Sequence, residues 1–175
     1  MDIKRIANSL VNFTAKRLTE IFGISFSIIG LLLLLSLLTY SPEDPNFVFP
    51  DNKKIKNLLG FQGSFMSDLF FQSFGLVSYL ISLTFIITGI NTFMFKKFFL
   101  IIENIFFTVI YCVFGTLFFS YFYADAFTLY INGNGGFVGN YFNQTFLNSL
   151  IQIHEITSFY FLIFLTLNLF LISIN

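Results

Sequence analysis

The stretch that decides the fold is residues 21–40, IFGISFSIIGLLLLLSLLTY, which contains no Asp, Glu, Lys or Arg. Roughly thirteen of these residues are Leu, Ile or Phe, and at about −0.3 to −0.6 kcal/mol each they favour bilayer insertion by roughly 4 to 8 kcal/mol. A helix of this length spans the ~30 Å hydrocarbon layer at about 1.5 Å per residue. The stretch exceeds a signal-peptide core, and no small-residue cleavage site follows it. It therefore predicts an uncleaved transmembrane helix.

The composition extends this prediction to the whole chain. Of the 175 residues, 56% are hydrophobic and only 10% are charged, whereas a soluble domain carries about 25% charged residues. Because so few charges cannot cover a water-facing surface, a large part of the surface must face lipid. We expect an all-α polytopic membrane protein, a single membrane domain with four transmembrane helices. The predicted spans are residues 20–40, 70–94, 98–122 and 150–174.

The positions of the basic residues predict the orientation. Four spans place both termini on one side of the membrane, together with the N-terminal tail (residues 1–19) and the turn at residues 95–97. That side holds six Lys and Arg residues, while the opposite side holds Lys53, Lys54 and Lys56. The positive-inside rule then predicts that both termini are cytoplasmic. The predicted outer loops are residues 41–69 and 123–149.

The first outer loop ends in a segment with helical periodicity. Apolar side chains recur at helical spacing over residues 63–75, while Asp68 and Gln72 lie four residues apart. Burying Asp68 at mid-membrane would cost about 2.5–3.5 kcal/mol. We therefore expect an amphipathic helix at the outer interface that leads into the second span. The second loop contains a glycine-rich turn at residues 132–139.

Known catalytic motifs do not match this sequence. There is no Gly-Lys-Ser/Thr triplet for a phosphate-binding loop. The turn around Gly133 has Val138 where a dinucleotide fingerprint needs glycine. His154-Glu155 begins like a zinc-protease motif, but Ser158 stands at the closing position, and the chain has no other histidine. We expect no enzyme activity, no cofactor and no metal, and the zero net charge argues against bound nucleic acid.

Three ionisable residues near span ends leave alternatives open. Glu103 is interpreted as a side chain that reaches the cytoplasmic interface or a nearby lysine, with an intramembrane ion or proton site as the alternative. His154 and Glu155 are interpreted as an interfacial pair at the outer end of the last span. The alternative for this pair is a proton relay in a transporter.

Small residues recur on one face of each of the first three predicted helices. Such faces let helices approach closely in lipid, which favours a compact bundle or an oligomer. The lone cysteine belongs to this set as a packing residue. The residues are Gly23, Ser27 and Gly30 in the first span; Gly75, Ser78 and Ser82 in the second; and Thr108, Cys112, Thr116 and Ser120 in the third.

Three segments resemble a known family. They are residues 38–45 (LTYSPEDP), residues 57–76 (NLLGFQGSFMSDLFFQSFGL) and residues 135–139 (GGFVG). In this order they are similar to the N-terminal membrane domain of FtsK/SpoIIIE-type DNA translocases. The resemblance is weakest at the fourth span, where residues 154–157 (HEIT) replace the small residues expected after the glycine-rich turn.

The resemblance implies a function. Members of this family anchor a cytoplasmic hexameric ATPase, which pumps DNA, at the division septum of the bacterial inner membrane. It implies self-association as a hexamer, contacts with divisome membrane proteins, and a role in cell division and chromosome segregation. Because the sequence stops at Asn175, after the fourth span, we expect a fragment or a stand-alone membrane half without the motor.

The loop and the predicted amphipathic helix are where we expect partner contacts. On the resemblance, the candidates are Pro42, Glu43, Asp44, Asp68 and Gln72. The alternative function is a small transporter or channel subunit, which would need polar or ionisable residues that converge at mid-membrane. Glu103, Asn91, Asn104 and Asn168 are the residues that could serve it.

Overall fold

The computed structural model describes residues 3–45, 54–124 and 132–175. Every secondary-structure element in these ranges is a helix, which confirms the predicted fold class. Four segments are long and apolar enough to cross a membrane: Ala7–Leu38, Gly60–Phe95, Phe99–Phe122 and Glu155–Ser173. The helices are α1 (Ile3–Leu38), α2 (Gly60–Phe74), α3 (Ser78–Phe95), α4 (Phe99–Phe122), α5 (Gly136–Asn143), α6 (Phe146–Ile153) and α7 (Glu155–Ser173).

Helix α1 is longer than a membrane is thick. Its 36 residues rise about 54 Å at about 1.5 Å each, and no proline interrupts them. Only the second half packs against the bundle, since every side chain from residue 7 to residue 18 is exposed. From residue 3 onward, the predicted cytoplasmic tail is therefore a helical extension of the first span.

Helices α1 and α3 pack antiparallel with their backbones in direct contact. A Cβ atom added to Gly23 would lie 2.7 Å from the amide nitrogen of Phe93, and one added to Gly30 would lie 2.7 Å from that of Ile86. Gly89 of α3 faces the backbone of α1 equally closely. Lipid provides no hydrophobic force between helices, so this approach stabilises the pair through dispersion and hydrogen bonding.

The second span differs from the expected residues 70–94. Helix α2 ends at Phe74, a 3₁₀ turn follows over Gly75–Val77, and the membrane-crossing helix α3 begins at Ser78. Gly75 adopts φ +56°, a conformation that L side chains rarely adopt. The hydroxyl of Ser78 donates to the carbonyl of Phe70 across this corner, 2.9 Å away. The chain therefore turns here instead of continuing as one helix.

The fourth span also begins later than the expected residue 150. Helix α6 covers Phe146–Ile153, and α7 starts at Glu155 after a break at His154. Helix α5 lies within the predicted outer loop of residues 123–149. We call α2, the 3₁₀ turn, α5 and α6, together with the connections at residues 39–45, 54–59 and 132–135, the cap.

Helix α7 packs antiparallel against α4. The Phe159 ring packs against the rings of Phe118 and Phe122 near the cap, with ring centroids 5.3 and 5.0 Å away. At the other end Phe170 lies against Tyr111, 5.9 Å away. Gly115 of α4 lets Thr166 approach between these contacts. The described residues thus form two hydrophobic clusters, and α4 contributes Tyr111 and Cys112 to one and Leu117 and Phe118 to the other.

Replacing Gly30 with leucine is expected to lower the midpoint of thermal unfolding in detergent. The new side chain collides with backbone and must separate α1 from α3, an overpacking cost of about 1–3 kcal/mol. Ser25→Leu adds the same side chain at an exposed position of the same helix and serves as the control. Equal midpoints for the two variants would show that the backbone contact does not limit stability.

Candidate interaction site in the cap

Asp44 holds together the first connection of the cap. Its side chain is buried, and its two carboxylate oxygens accept hydrogen bonds from the backbone N–H groups of Lys56 and Asn57, each at 2.8 Å. Asn57 in turn donates its amide to the carbonyl of Ser36 at the end of α1, 2.9 Å away. The sequence suggested a partner contact for Asp44; in the structure its carboxylate binds this protein's own backbone.

Asp68 and Gln72 lie on the side of α2 that faces the bundle. The hydroxyl of Tyr40 donates to the Asp68 carboxylate at 3.2 Å. Burial of the Tyr40 ring and the negative charge of Asp68 raise the pKa of Tyr40. The side-chain oxygen of Gln72 accepts from the amide of Asn132, also at 3.2 Å. Both residues are half-buried. They connect α2 to the end of α1 and to the glycine-rich turn.

The orientation of α2 is the reverse of what an aqueous interface would produce. Its buried residues are small or aromatic, namely Gly63, Ser64, Ser67 and Phe71. Met66 and Leu69 are exposed on the other side. The hydroxyl of Ser36 donates to the carbonyl of Gly63 at 2.5 Å. Small polar residues therefore pack inward, while large apolar residues face the surroundings, as is expected of a helix beside lipid.

Pro42 and Glu43 are the predicted contact residues that remain exposed. Glu43 forms an ion pair with Lys56, with 2.6 Å between the carboxylate oxygen and Nζ, and both side chains are more than half exposed. The hydrogen bond to Glu43 raises the pKa of Lys56. Pro42, Glu43 and Lys56 form an accessible corner beside the connection that Asp44 holds together. Glu43 gives this corner one negative charge, and Lys56 gives it one positive charge.

The glycine-rich turn seats the cap on the bundle. Its backbone touches Gly75, and Leu76 N–H donates to the carbonyl of Asn134 at 3.0 Å. Gly136 adopts φ +65°, and Gly139 lies directly against the backbone of Thr116 in α4. These glycines serve close packing between helices, since each faces protein backbone and leaves no open cradle for phosphate.

A buried polar seam joins α3, α4 and α7 within the bundle. The hydroxyl of Thr84 lies 3.0 Å from that of Tyr111 and 3.3 Å from that of Ser173. One turn further on, Asn104 donates its amide to Thr88 at 2.9 Å. This seam was not predicted, although Thr84, Thr88 and Thr92 repeat every four residues. The hydroxyl groups of Thr84 and Thr88 carry no charge and form interhelical hydrogen bonds of the kind that stabilise membrane bundles.

The structure places the small residues predicted for packing in three settings. Gly23, Ser27 and Gly30 of α1 pack against α3. The Ser27 hydroxyl donates to the carbonyl of Ile86 in α3 at 3.0 Å. In the predicted second span, Gly75 and Ser78 lie at the corner between the cap and α3, and Ser82 is buried within α3. The α4 residues are buried against neighbouring helices. These are Thr108, Cys112, Thr116 and Ser120.

A small ion-pair network joins α1 to the end of α3. Glu20 lies 2.6 Å from Arg17 and 2.8 Å from Lys96. Lys96 ends α3 in the left-handed conformation, with φ +55°. This network was not predicted, because nothing in the sequence shows that residues 20 and 96 meet. It marks the end of the bundle opposite the cap.

The other ionisable residues singled out in the sequence are exposed. Glu103 lies on the outward face of α4 and forms no ion pair or hydrogen bond with the part of the chain that the structure describes. His154 and Glu155 lie at the break between α6 and α7. Within the described ranges, no three His, Cys, Asp or Glu residues are grouped so as to hold a metal ion.

The family assignment rests on a match over nearly the whole chain. A family model described as the 4TM region of DNA translocase FtsK/SpoIIIE matches residues 15–174. The chain belongs to this family. It is a multi-pass membrane region, and the four apolar helices and their cap are the structure of that region.

Curated relatives agree over part of the chain. A DNA translocase FtsK of Rickettsia prowazekii is 39% identical over 64 residues, which cover 37% of this chain and 9% of that protein. That of Azospirillum brasilense is 36% identical over 73 residues, which cover 41% of this chain and 12% of that protein. That of Caulobacter vibrioides is 34% identical over 65 residues, which cover 37% of this chain and 8% of that protein. The matched region thus spans about a tenth of these relatives' length. No solved structure matches this chain.

Replacing Asp44 with alanine is expected to loosen the connection at residues 54–59. The backbone N–H groups of Lys56 and Asn57 lose their hydrogen-bond acceptor, and each N–H group that stays unsatisfied lowers the folding stability by about 1–3 kcal/mol. Hydrogen–deuterium exchange should therefore accelerate at these two amides. Glu43→Ala, the neighbouring exposed carboxylate, is the control and should leave their exchange unchanged. Equal exchange in both variants would show that Asp44 does not hold this connection.

Proposed function

We propose that this chain is the membrane anchor and septum-assembly region of an FtsK-type DNA translocase that acts in cell division and chromosome segregation. The family match over residues 15–174 is the observation that carries this proposal. The motor that consumes ATP and moves DNA belongs to a part of the protein outside this region. The role of the region is physical, through insertion, helix packing and contacts with other membrane proteins of the division site.

The proposed orientation places both termini in the cytoplasm and the cap on the outer side of the inner membrane. Two charge distributions support it. Lys96 and Lys97 lie at the end opposite the cap, beside the Arg17–Glu20 pair, and the N-terminal extension of α1 carries further basic residues. Retaining Lys and Arg on the cytoplasmic side is the general rule for short connections.

Pro42 and Glu43 are the part of the cap that we propose meets divisome partners. Asp44, Asp68 and Gln72 position this corner, because their polar atoms bond within the protein. The proposed self-association, which the family implies as a hexamer, would use the lipid-exposed faces of the bundle. The alternative of a transporter gains no support from Glu103, because its side chain is exposed on the outside of α4.

The topology has a direct test. Reporters that are active only in the cytoplasm, fused separately to each terminus, should both be active, and a cysteine introduced at Pro42 should react with a membrane-impermeant maleimide in intact spheroplasts. Cys112 is buried and serves as the internal background. Activity of only one terminal reporter, or protection of the introduced cysteine, would contradict the proposed orientation.

The partner corner is tested by septal recruitment of a fluorescent fusion of the full-length protein. Combined Pro42→Ala and Glu43→Ala substitutions should reduce the septal fraction about tenfold, the loss expected when one contact worth about 1.4 kcal/mol is removed. Gln144→Ala changes an exposed residue between α5 and α6 and should leave recruitment unchanged. Normal recruitment of the double variant would discard this corner as the contact.

A further inference from the structure

A groove lies on the exposed surface of the protein, between α2 of the cap and helices α1 and α3 of the bundle. It has a volume of about 450 Å³, and its surface is mainly apolar. Its walls include Ile29 and Leu32 from α1, Met66 from α2 and Phe85 from α3. We call it the α2 groove, and we propose that it binds one acyl chain of a membrane phospholipid.

The polarity of the α2 groove changes along its length. Ser36 and Gln62 line the end near the cap, whereas Ile29 and Phe85 line the part further from it. Ile29 lies seven residues before Ser36 on α1, about 10 Å along the helix axis. A polar end near the membrane surface and an apolar end deeper in the bilayer match the sequence of glycerol backbone and hydrocarbon tail in a phospholipid.

Gln62 supplies a group suited to the polar end of a lipid. Its side chain is exposed and makes no hydrogen bond with any residue in the described ranges. The amide can donate to an ester or phosphate oxygen. Ser36 lines the same end, but its hydroxyl donates to the carbonyl of Gly63, which leaves Gln62 as the donor available to a ligand.

The size and lining of the α2 groove favour an acyl chain over other occupants. Water needs two to four polar partners at each position, and the deeper walls offer none. One turn of a helix, about 10 Å across and about 5.4 Å in pitch, occupies roughly 400 Å³. The groove therefore encloses no more than about one helical turn of another protein, whereas a single hydrocarbon chain can lie along the roughly 10 Å of wall between Ile29 and Ser36.

Tryptophan substitutions that fill the α2 groove test the proposal. Ile29 and Ile28 are neighbouring α1 residues with exposures of 53% and 51%, but only Ile29 lines the groove. Native mass spectrometry after mild detergent extraction should find one phospholipid retained on the wild-type chain and on the Ile28→Trp variant. Retention on Ile29→Trp should fall about tenfold, the effect of displacing roughly two methylene groups. Equal retention in both variants, or none on the wild type, would overturn the proposal.

A second pair of variants approaches the α2 groove from the opposite wall. Met66→Trp fills it from α2, and Leu69→Trp adds the same ring to an exposed position of that helix outside the groove. Circular dichroism checks the helix content of all four variants. If Ile29→Trp does not fold, the Met66 and Leu69 pair decides: only Met66→Trp should lose the lipid, and equal retention would overturn the proposal.

Crosslinking tests the site in a bilayer without detergent. The probe is a phosphatidylglycerol with a diazirine on one acyl chain, mixed into vesicles that contain the wild-type chain. Labels should concentrate on peptides that contain Leu32 and Met66, relative to the exposed α7 residues Phe164 and Leu171. Uniform labelling of these exposed surfaces would identify the lipid as annular and would reject a site.

Discussion

The backbone contact between α1 and α3 is the interaction on which the rest of the structure depends. Gly23, Gly30 and Gly89 let the two helices touch without intervening side chains, and the Glu20–Lys96 ion pair holds the end opposite the cap. This alignment fixes the position of the C-terminal end of α1 relative to α3, and the cap packs on that end of α1. The Ser36 hydroxyl donates to the carbonyl of Gly63, the Ser36 carbonyl accepts from the amide of Asn57, and the Tyr40 hydroxyl donates to Asp68. A shift of α1 along α3 would displace all of these partners together.

Lipid as solvent accounts for features that would be unusual in a water-soluble protein. The fully buried positions are dominated by serine and threonine, while leucine, isoleucine and phenylalanine cover the exterior. Small residues allow close approach, and their hydroxyl groups bond to carbonyls on their own or a neighbouring helix, as Ser27 and Ser78 do. The seam at Thr84, Tyr111 and Ser173 extends this principle to three helices. Directed hydrogen bonds supply the specificity that hydrophobic burial gives in water.

The class of fold could be read from the sequence because it depends on local hydropathy alone. Long uncharged segments, such as residues 21–40, must be helical in a bilayer, since no water is present to bond their backbone. The corner at Gly75 could not be predicted in this way. Hydropathy continues across it, and the turn depends on Asn134, which is distant in sequence and supplies the carbonyl that Leu76 bonds. The Glu20–Lys96 pair has the same character, since only the folded bundle brings these residues together.

The candidate site shows why a sequence motif and a contact surface need not coincide. The residues TYSPEDP resemble those of the family, and a short charged motif between membrane spans suggests recognition by a partner. In the structure, Asp44 satisfies two backbone N–H groups, and Tyr40 bonds Asp68. Both pairs hold segments that are 12 to 28 residues apart in the chain. The motif therefore first determines the shape of the cap. Within this motif, Pro42 and Glu43 are the exposed residues, so the recognition proposed for this corner would depend on a conformation that Asp44 and Tyr40 maintain.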